Sequence, residues 1–351
     1  MTGEGLLPGR QRRPSQPPPP RPPGRGAAGL AVTSEIGLAL GLSALLLLAG
    51  CTAVAPPSPP ARGQAAPARG PAAVAAVTGR AAMAAAGPSC DPEASLRPGG
   101  PPRVAPGSFM ARIRARGYLI AGVDPGTYHF GFLNPLDGQF EGFDIDMLHA
   151  VAKAIFGDPG KIEFRSIPDA QRIRAVQSGA VDIVAHTMII TCARLSLVDF
   201  STVYFDTGQR VLVPKDSPVT GIGDLGGKKV CATSGSLSLA NVRAAPSHPI
   251  PVARPYWTDC LVLLQQGDVA AISTDDAILA GLAAQDPATK LAGPRFTNDP
   301  YGVAISRQHP DFARFVNAVL AQLRADGQWA ASYAHWIGTP VPAPPPARYK
   351  N

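Results

Sequence analysis

Three groups in this sequence are suited to holding a small ionic molecule. Arg194 follows a strand-end segment, residues 187–191, and its guanidinium can donate two parallel hydrogen bonds to one carboxylate. Residues 234–237 (Ser-Gly-Ser-Leu) open a predicted helix, where backbone N–H groups and the positive end of the helix dipole attract an anion. Asp275 ends a predicted strand and can accept from an ammonium group. Together they could hold a small molecule that carries both a negative and a positive charge.

Each of these groups also has an ordinary structural explanation. A single arginine in isolation is more often half of a surface ion pair, and a serine before a helix is often no more than a cap. The neighbouring Asp276 is a candidate helix N-cap, and Asp275 and Asp276 could exchange their two roles. Spacing alone leaves these alternatives open.

Catalytic and metal-binding patterns are missing from the sequence. No Ser/His/Asp, Cys/His or paired-carboxylate arrangement is legible, and Glu141 and Glu163, the only glutamates in residues 108–203, do not follow strand ends. The six histidines are dispersed, and no CxxC or Cys/His ligand spacing exists. We expect no metal, no cofactor and no enzymatic activity.

The cysteine count indicates an oxidising compartment. Apart from Cys51, the sequence has an even number of cysteines, which allows three pairings: Cys90, Cys192, Cys231 and Cys260. We expect two disulfide bonds, with free buried thiols as the alternative.

Composition places the folded part in the middle of the chain. Of 39 prolines, 20 precede Ser108, 5 follow Thr339 and only 14 lie between them. With 351 residues, 45% of them hydrophobic, the chain has enough material for about two domains. The net charge of +7 is mild and scattered, and no zinc-finger or basic-helix pattern occurs, so nucleic acid is not an expected partner.

Residues 1–50 are typical of an export signal. An Arg- and Pro-rich start precedes residues 36–49, an uncharged apolar run that is shorter than the roughly 20 residues needed to cross a bilayer. The following Gly50 and Cys51 resemble the bacterial lipoprotein signal, in which the cysteine is lipidated and becomes the first residue. Cleavage without lipidation is the alternative. The start is long for such a signal, which indicates a translation start downstream of Met1.

The segments on either side of the folded part are low in complexity. Residues 51–107 are rich in Ala, Pro, Gly and Arg, and they bury too little apolar surface to offset the entropy of ordering. We interpret them as a tether from a membrane anchor, with a reach on the order of 40 Å. Residues 340–351 are interpreted as a C-terminal tail.

Strand and helix patterns alternate twice along the folded part. In residues 108–203 the predicted strands are residues 118–123, 162–167 and 181–185, and the predicted helices are residues 112–116, 148–156 and 170–178. In residues 209–298 the predicted strands are residues 210–213, 229–232 and 270–273, and the predicted helices are residues 237–243, 259–265 and 276–284. Such alternation implies sheets with covered faces.

Two crossings connect the two units. Residues 204–208 lead from the first unit into the second, and residues 299–303 lead back. The remaining residues 304–339, with predicted helices at residues 311–326 and 329–337, have nothing to pack on unless they return to the first unit. We therefore expect an α/β clamshell of two lobes, a hinge at the crossings, and the binding site in the cleft.

Several motifs of this part of the chain occur together in one protein family. Residues 142–147 (Gly-Phe-Asp-Ile-Asp-Met), followed by Val151, Ala152 and Ile155, match its signature. Further similarities follow in chain order: residues 191–200, 224–228, 234–235, 273–275 and 326–327. Over residues 109–339 the chain resembles the family 3 solute-binding proteins, the amino-acid receptors of ABC importers, and within them the glutamate- and glutamine-binding lipoproteins of actinobacteria, including the mycobacterial type.

The resemblance implies a fold and a role for each candidate group. The fold is a type II periplasmic-binding-protein clamshell with mixed, mainly parallel sheets. Arg194 would clamp the ligand carboxylate together with N–H groups at Ser236 and Leu237. Asp275 would accept the ammonium, with the carbonyl of Thr187 as a second acceptor.

Side-chain selectivity is expected on the first lobe. Asp124 stands where glutamine binders hold the side-chain amide, and Tyr128 and Phe130 are candidates for a wall of the site. A bare aspartate would repel a glutamate side chain unless a cation intervenes. Arg172 and His186 are the available basic groups, although His186 is more readily explained as a packed strand residue.

Three positions depart from the family's pattern. Ile189 replaces a Ser or Thr that bonds the ligand, which leaves only its backbone N–H. Ala193 replaces the acidic residue before the arginine, and Asp169 replaces an aromatic that stacks on the ligand in glutamine binders. These changes bear on the ligand's identity and affinity and leave the fold assignment intact.

The lobes also suggest a disulfide pairing. Cys231 and Cys260 belong to the same lobe and can approach each other. That leaves Cys90 to reach Cys192 at the rim of the first lobe, which would pin the end of the tether to the domain.

These features lead to one expected function and two alternatives. We expect a monomeric, lipid-anchored receptor on the outer face of the cytoplasmic membrane that binds glutamate, aspartate, glutamine or asparagine and delivers it to an ABC permease. The first alternative is a sensor with the same clamshell that presents the amino acid to a membrane signalling protein. The remote alternative is an enzyme on the same fold.

Overall fold

The computed structural model describes residues 90–350. The predicted export signal, the lipidation site Cys51 and most of the predicted tether lie outside the described residues. Among the residues described, no helix is both long and apolar enough to cross a membrane.

The elements before the first crossing belong mainly to one lobe. The strands are β1 (Ala94–Leu96), β2 (Leu119–Val123), β3 (Gly126–Thr127), β4 (Gly131–Leu133), β5 (Phe140–Glu141), β6 (Ile162–Ser166), β7 (Ile183–Val184) and β8 (Asp199–Phe200). The α-helices are α1 (Phe109–Arg116), α2 (Phe143–Phe156), α3 (Arg172–Gln177) and α4 (Cys192–Leu195). A 3₁₀ turn, Asp169–Gln171, leads directly into α3.

The second lobe lies between two crossing strands. These are β9 (Phe205–Thr207) and β15 (Asp299–Tyr301). Between them lie β10 (Gln209–Pro214), β11 (Lys229–Thr233), α5 (Leu237–Ala244), β12 (Ile250–Arg254), α6 (Trp257–Gln265), β13 (Ala271–Asp275), α7 (Asp276–Gln285) and β14 (Thr289–Ala292). After them come β16 (Ala304–Ile305), α8 (Pro310–Ala325), α9 (Gln328–Trp336) and β17 (Arg348–Lys350).

The first lobe is built on a sheet with the strand order β6-β2-β7-β16-β8. β2 pairs in parallel with β6 and β7, whereas β16 is antiparallel to β7 and β8. The chain that returns from the second lobe therefore completes this sheet. α2 and α8 cover it with apolar side chains, and Leu148, Val151, Phe312 and Val316 belong to one buried cluster. This burial explains why the helical spacing of apolar residues identified both helices.

The second lobe repeats the arrangement with the strand order β12-β11-β13-β10-β14. β11 is parallel to β12 and β13, and β10 is antiparallel to β13 and β14. Both sheets are mixed as expected, but parallel pairs make up half of each sheet, not most of it. Trp257, Leu239, Ile272 and Leu279 lie in the core between this sheet and its helices.

The two crossings run side by side. β9 and β15 are antiparallel, with Phe205 opposite Tyr301 and Thr207 opposite Asp299. They coincide with the segments that the sequence analysis assigned to the hinge. Tyr204 and Tyr301 are fully buried there, so the crossing is packed against the first lobe.

The chain ends are more ordered than expected, which corrects two predicted boundaries. β1 pairs in parallel with β17, with Ala94 opposite Arg348 and Leu96 opposite Lys350. Ser95 between them is buried, donates to the Phe200 carbonyl at 2.6 Å, and accepts from Asn317 at 2.7 Å. Residues 90–107 therefore belong to the folded part and not to the predicted tether, and residues 348–350 of the predicted tail form a strand. Backbone pairing and polar contacts order segments that have little apolar surface.

Both expected disulfide bonds are present. Cys90 is joined to Cys192, and Cys231 is joined to Cys260. The first bond holds the start of the described chain to α4 on the first lobe. The second connects β11 to α6 inside the core of the second lobe.

Candidate functional site

The two lobes close over a small cavity at the ends of their strands. From the first lobe it is lined by Asp169, Arg172, Thr187, Ile189 and Arg194. From the second lobe it is lined by Ser236, Leu237, Ser238, Trp257, Thr274, Asp275 and Ile278. Its volume is about 10 Å³, the space of a single water molecule.

Direct contacts between the lobes explain why the cavity is so small. The hydroxyl of Thr233 donates to Oδ2 of Asp169, and Nη2 of Arg194 donates to the Gly235 carbonyl at 3.3 Å. A Cβ placed on Gly281 of α7 would lie 2.5 Å from the Tyr128 carbonyl. The conformation is therefore a closed one, and the lobes must separate to admit a molecule as large as an amino acid.

Arg194 lies in α4, immediately after the strand-end segment. The Thr191 hydroxyl caps this helix by accepting from the Arg194 N–H at 3.2 Å, and Nη1 of Arg194 donates to the Ile189 carbonyl at 2.7 Å. These two bonds fix the guanidinium at the cavity wall. Burial, and next the positive charge of Arg172, lower the pKa of Arg194 to about 10. It therefore remains a cation at neutral pH and can pair with a carboxylate.

The start of α5 faces the same cavity from the other lobe. Ser236 is the N-cap residue: its Oγ accepts from the Leu239 N–H at 3.0 Å and donates to the Thr233 carbonyl at 2.8 Å. The N–H groups of Leu237 and Ser238, in the first turn, have no acceptor within the helix. Since both residues line the cavity, they can donate to the same carboxylate as Arg194.

Asp275 supplies a buried acceptor at the end of β13. Its Oδ2 accepts from the Tyr301 hydroxyl at 2.5 Å, whereas its Oδ1 has no hydrogen-bond partner within residues 90–350. Burial, and next the negative charge of Asp299, raise the pKa of Asp275 well above its ordinary value. An ammonium group would satisfy the open oxygen and stabilise the ionised carboxylate.

Asp276 does not have the helix-capping role expected for it. It is the first residue of α7, and Asp275 occupies the N-cap position without a side-chain capping bond among the described residues. Oδ1 of Asp276 accepts from the Thr207 hydroxyl at 2.7 Å, and Oδ2 pairs with Arg295 at 2.6 Å. Both oxygens of Asp276 are therefore bonded to residues that do not line the cavity. The exchange of roles between the two aspartates is not observed.

Thr187 is held in an unusual backbone conformation at the cavity wall. Its φ is +43°, which is uncommon for a β-branched residue. Oδ2 of Asp144 accepts from its N–H at 2.8 Å, and Oδ1 of Asp144 accepts from the Tyr204 hydroxyl at 2.5 Å. Burial raises the pKa of Asp144. Asp144, an acidic residue of the family signature, thus holds the backbone of Thr187 at the cavity wall.

Two residues proposed for side-chain selectivity stand away from the cavity. Oδ1 of Asp124 accepts from the Gly126 N–H at 2.7 Å, and its Oδ2 lies 3.7 Å from Nε2 of His186. The Tyr128 ring packs against His129, outside the set of residues that line the cavity. In this closed conformation Asp124 stabilises its own turn, because the turn places a backbone donor against the carboxylate.

Arg172 lines the cavity but is already engaged. Its Nη1 lies 2.9 Å from Oδ1 of Asp169 and donates to the His186 carbonyl at 2.9 Å. His186 is fully buried, with Nε2 2.8 Å from the Ile167 carbonyl, so it is a packed residue as the sequence analysis favoured. Neither group is free to pair with an acidic ligand side chain.

Five lining residues were not predicted from the sequence to bind the ligand: Asp169, Ser238, Trp257, Thr274 and Ile278. Asp169 was noted only as a departure from the family, and Trp257 lies two residues before the predicted start of its helix. Tyr204 and Tyr301 of the crossing, which bond Asp144 and Asp275, were also not identified. A tryptophan in the first turn of a helix beside the cleft was the one available signal. In the described part of the chain, no group of three or more potential metal ligands is close enough to hold an ion.

Comparison with known proteins agrees with this geometry. Residues 119–339 match the bacterial extracellular solute-binding proteins, family 3. The chain belongs to this family. It is therefore a solute-binding receptor, and the expectation that it is not an enzyme is confirmed by this membership.

Individual relatives of this solute-binding protein cover most of the described residues. It is 37% identical over 229 residues to the ABC transporter glutamine-binding protein GlnH of Bacillus subtilis, covering 65% of this chain and 84% of that protein. It is 31% identical over 232 residues to the glutamate-binding protein GluB of Corynebacterium glutamicum, covering 62% and 78%. A solved ancestral arginine-binding protein bound to glutamine matches with a TM-score of 0.60 and 32% identity, covering 64% of this chain and 99% of that one. The fold is the type II clamshell expected from the sequence.

Proposed function

We propose that this solute-binding protein captures a polar amino acid and delivers it to an ABC importer from a lipid anchor at Cys51. The observation that carries the proposal is a cation on one lobe facing a buried carboxylate on the other, one oxygen of which has no hydrogen-bond partner within residues 90–350. Arg194 and Asp275 line one cavity, and they match the two charges of an amino acid.

Binding by two lobes explains how the ligand would drive closure. The carboxylate would be held by Arg194 with the first turn of α5, and the ammonium by Asp275, so that neither lobe alone completes the site. Closure then removes both charges from water. Their ion pairs are stronger in the less polar interior of the protein. The closed receptor is the form that a permease would recognise.

The ligand class follows from the site together with the relatives. Two of the relatives are named for glutamine and glutamate, and we propose glutamine, asparagine, glutamate or aspartate as the ligand. The lining of the cavity includes the polar groups of Asp169 and Arg172 on one lobe and of Trp257 on the other. Such a lining favours a polar side chain over an aliphatic one.

The membrane anchor rests on the sequence around Cys51. An apolar run that ends in Gly50 and Cys51, followed by a Pro-rich segment, supports lipidation of the cysteine. A monomer held in this way on the outer face of the cytoplasmic membrane would remain near a permease. Metabolic labelling with an alkyne fatty acid, compared between the wild type and Cys51→Ala, tests this part.

Ligand-induced stabilisation tests the receptor function. At about 100 times its dissociation constant, a ligand adds roughly 2.7 kcal/mol to the free energy of unfolding, which raises the unfolding midpoint by about 5 to 10 °C. We expect such a shift with at least one of the four amino acids, and its loss in Arg194→Ala and Asp275→Ala. No shift with any amino acid, in folded and ligand-free protein, would overturn the proposal. Uptake of labelled amino acid with and without the permease separates import from sensing.

A further inference from the structure

Besides Oδ1 of Asp275, two buried polar atoms at the cavity have no hydrogen-bond partner among the described residues. They are Nε1 of Trp257, which can only donate, and Oδ1 of Asp169. The oxygen can only accept as long as the carboxylate is ionised. Both residues line the cavity between the lobes, and both are almost completely buried. Buried polar groups in folded proteins are normally paired, so the two atoms indicate a ligand that pairs with them.

The supports of these two side chains keep them in place. Trp257 is the first residue of α6 and packs in the core of the second lobe. Both oxygens of the Asp169 carboxylate contact a neighbouring side chain. Oδ2 accepts from the Thr233 hydroxyl across the cleft, and Oδ1 lies 2.9 Å from Nη1 of Arg172. Nδ1 of His186 is 3.4 Å from the same oxygen without a hydrogen bond. Oδ1 of Asp169 is therefore ion-paired with Arg172 but accepts no hydrogen bond within residues 90–350, and it can accept one from a ligand.

Complementarity to this pair differs among ligand side chains. A primary carboxamide has both a carbonyl oxygen, which can accept from Trp257, and N–H groups, which can donate to Asp169. A carboxylate only accepts and would place a negative charge beside Asp169. A guanidinium or ammonium only donates and would leave the indole N–H unpaired. Asp275 is not part of this choice, because the α-ammonium occupies its open oxygen.

Charge balance in the cavity supports the same ligand. The charged lining groups are Arg172, Arg194, Asp169 and Asp275, two of each sign. An amino acid with an uncharged side chain adds one charge of each sign and preserves this balance. An acidic or basic side chain would leave an uncompensated charge in a site that excludes water.

We propose that Asp169 and Trp257 form a subsite that selects a primary carboxamide on the ligand's side chain, as in glutamine or asparagine. This inference rests on the proposed amino-acid receptor function. It assigns the amide-binding role to Asp169 instead of Asp124, which accepts from the Gly126 N–H. The residue that departs from the family's aromatic pattern thus determines specificity in this chain.

Calorimetric titration of the ligand-stripped protein with glutamine, asparagine, glutamate and norleucine tests the proposal. The wild type should bind glutamine or asparagine at least tenfold more tightly than glutamate. Trp257→Phe removes the indole N–H together with part of the ring. Norleucine reports the effect of the lost ring volume, and binding of the amide should weaken about tenfold more than binding of norleucine. Asp169→Asn exchanges an acceptor-only group for one that can also donate, and should lower the ratio of amide to glutamate affinity about tenfold.

The outcomes separate this subsite from the receptor function itself. A wild type that prefers glutamate, or an amide-to-glutamate ratio that stays the same in both variants, would overturn the subsite and leave an amino-acid receptor. Absence of binding by any amino acid would overturn both. If Asp169→Asn does not fold, because Arg172 loses its ion partner, Trp257→Phe decides, since the norleucine control separates the loss of the N–H from the loss of ring volume.

Discussion

The hydroxyl of Tyr301 donates a 2.5 Å hydrogen bond to Oδ2 of Asp275. Tyr301 lies on the second crossing strand, and Asp275 ends the central strand of the second lobe. Tyr204, beside the first crossing strand, bonds Asp144 in the same way at 2.5 Å. A buried tyrosine at each crossing thus holds a carboxylate of one lobe, so the orientation of the lobes and the geometry of the site depend on the same bonds.

Replacing Arg194 should remove most of the ligand affinity. The guanidinium is half-buried and is the cation on the first lobe that faces the start of α5. Losing one partner of a buried ion pair costs about 2 to 5 kcal/mol, so Arg194→Ala should weaken amino-acid binding by about 100-fold or more. Arg194→Lys is the matched variant, because it keeps the charge but loses the paired hydrogen-bond geometry. Its amino-acid affinity should lie between those of the wild type and Arg194→Ala. Equal affinities in all three proteins, measured by calorimetry, would contradict this role.

Asp275 should limit the stability of the ligand-free protein. Burial and the charge of Asp299 raise its pKa in the folded state, whereas an unfolded aspartate has a pKa of about 3.9. At pH values between these two pKa values, the folded state binds more protons than the unfolded state. The free energy of unfolding therefore falls as the pH rises. Asp275→Asn removes this contribution, and its stability should fall less with pH and exceed that of the wild type at neutral pH.

Urea unfolding of both proteins at several pH values between about 4 and 8, without ligand, measures this difference. Burial also raises the pKa values of Asp124 and Asp144. Both residues are present in both proteins, so their contributions to the pH dependence of stability cancel in the comparison. Parallel curves of stability against pH would show that Asp275 does not titrate as described. The same variant should bind amino acids weakly, because a neutral amide attracts an ammonium less.

Gly281→Ala should hinder closure without weakening the second lobe. A Cβ at this position would lie 2.5 Å from the Tyr128 carbonyl of the first lobe, while alanine inside α7 favours the helix by about 1 kcal/mol. We expect an unfolding midpoint at least as high as that of the wild type, together with an affinity lowered about tenfold. The control is Gly223→Ala, where a Cβ meets no described atom within 4 Å. Unchanged affinity and unchanged compaction by X-ray scattering would contradict the closed form.

The two disulfide bonds should contribute unequally to stability. Cys90 and Cys192 are 102 residues apart in sequence, and Cys231 and Cys260 are 29 apart. From the entropy of the unfolded chain, these loops correspond to about 4.7 and about 3.5 kcal/mol. The double variant Cys90→Ser/Cys192→Ser should lose more unfolding free energy than Cys231→Ala/Cys260→Ala. It should also weaken ligand binding, because Cys192 is two residues before Arg194 in α4. The reverse order of stability in urea would refute this.

Apolar periodicity predicted the buried elements because burial determines where they form. α2 and α8 were found within a few residues, as were the central strands of both sheets. β12, at the edge of its sheet, was missed because its side chains are largely exposed and it contains Pro251, which breaks the strand pattern. The pairing of β1 with β17 joins residues at opposite ends of the chain, and no local pattern indicates such a contact.

The site could be predicted only as far as strand ends determine it. Arg194 and Asp275 follow strands of different lobes, and a parallel α/β arrangement brings such ends to one cleft. Asp124 also follows a strand, but its turn supplies a backbone partner that removes it from the cavity. Asp169 and Trp257 belong to different lobes and line one cavity when the lobes are closed, so their relation depends on a rotation that sequence spacing does not encode.

The central claim is that the two charges of an amino acid are held by Arg194 and Asp275 from opposite lobes. Titration with L-glutamine, L-glutaminamide, which lacks the carboxylate, and glutaramic acid, which lacks the ammonium, tests it most directly. The wild type should bind glutamine at least 100-fold more tightly than either analogue, Arg194→Ala should lose its preference over glutaminamide, and Asp275→Ala should lose its preference over glutaramic acid. Similar affinities of the wild type for all three compounds, or preferences that survive both substitutions, would contradict the account.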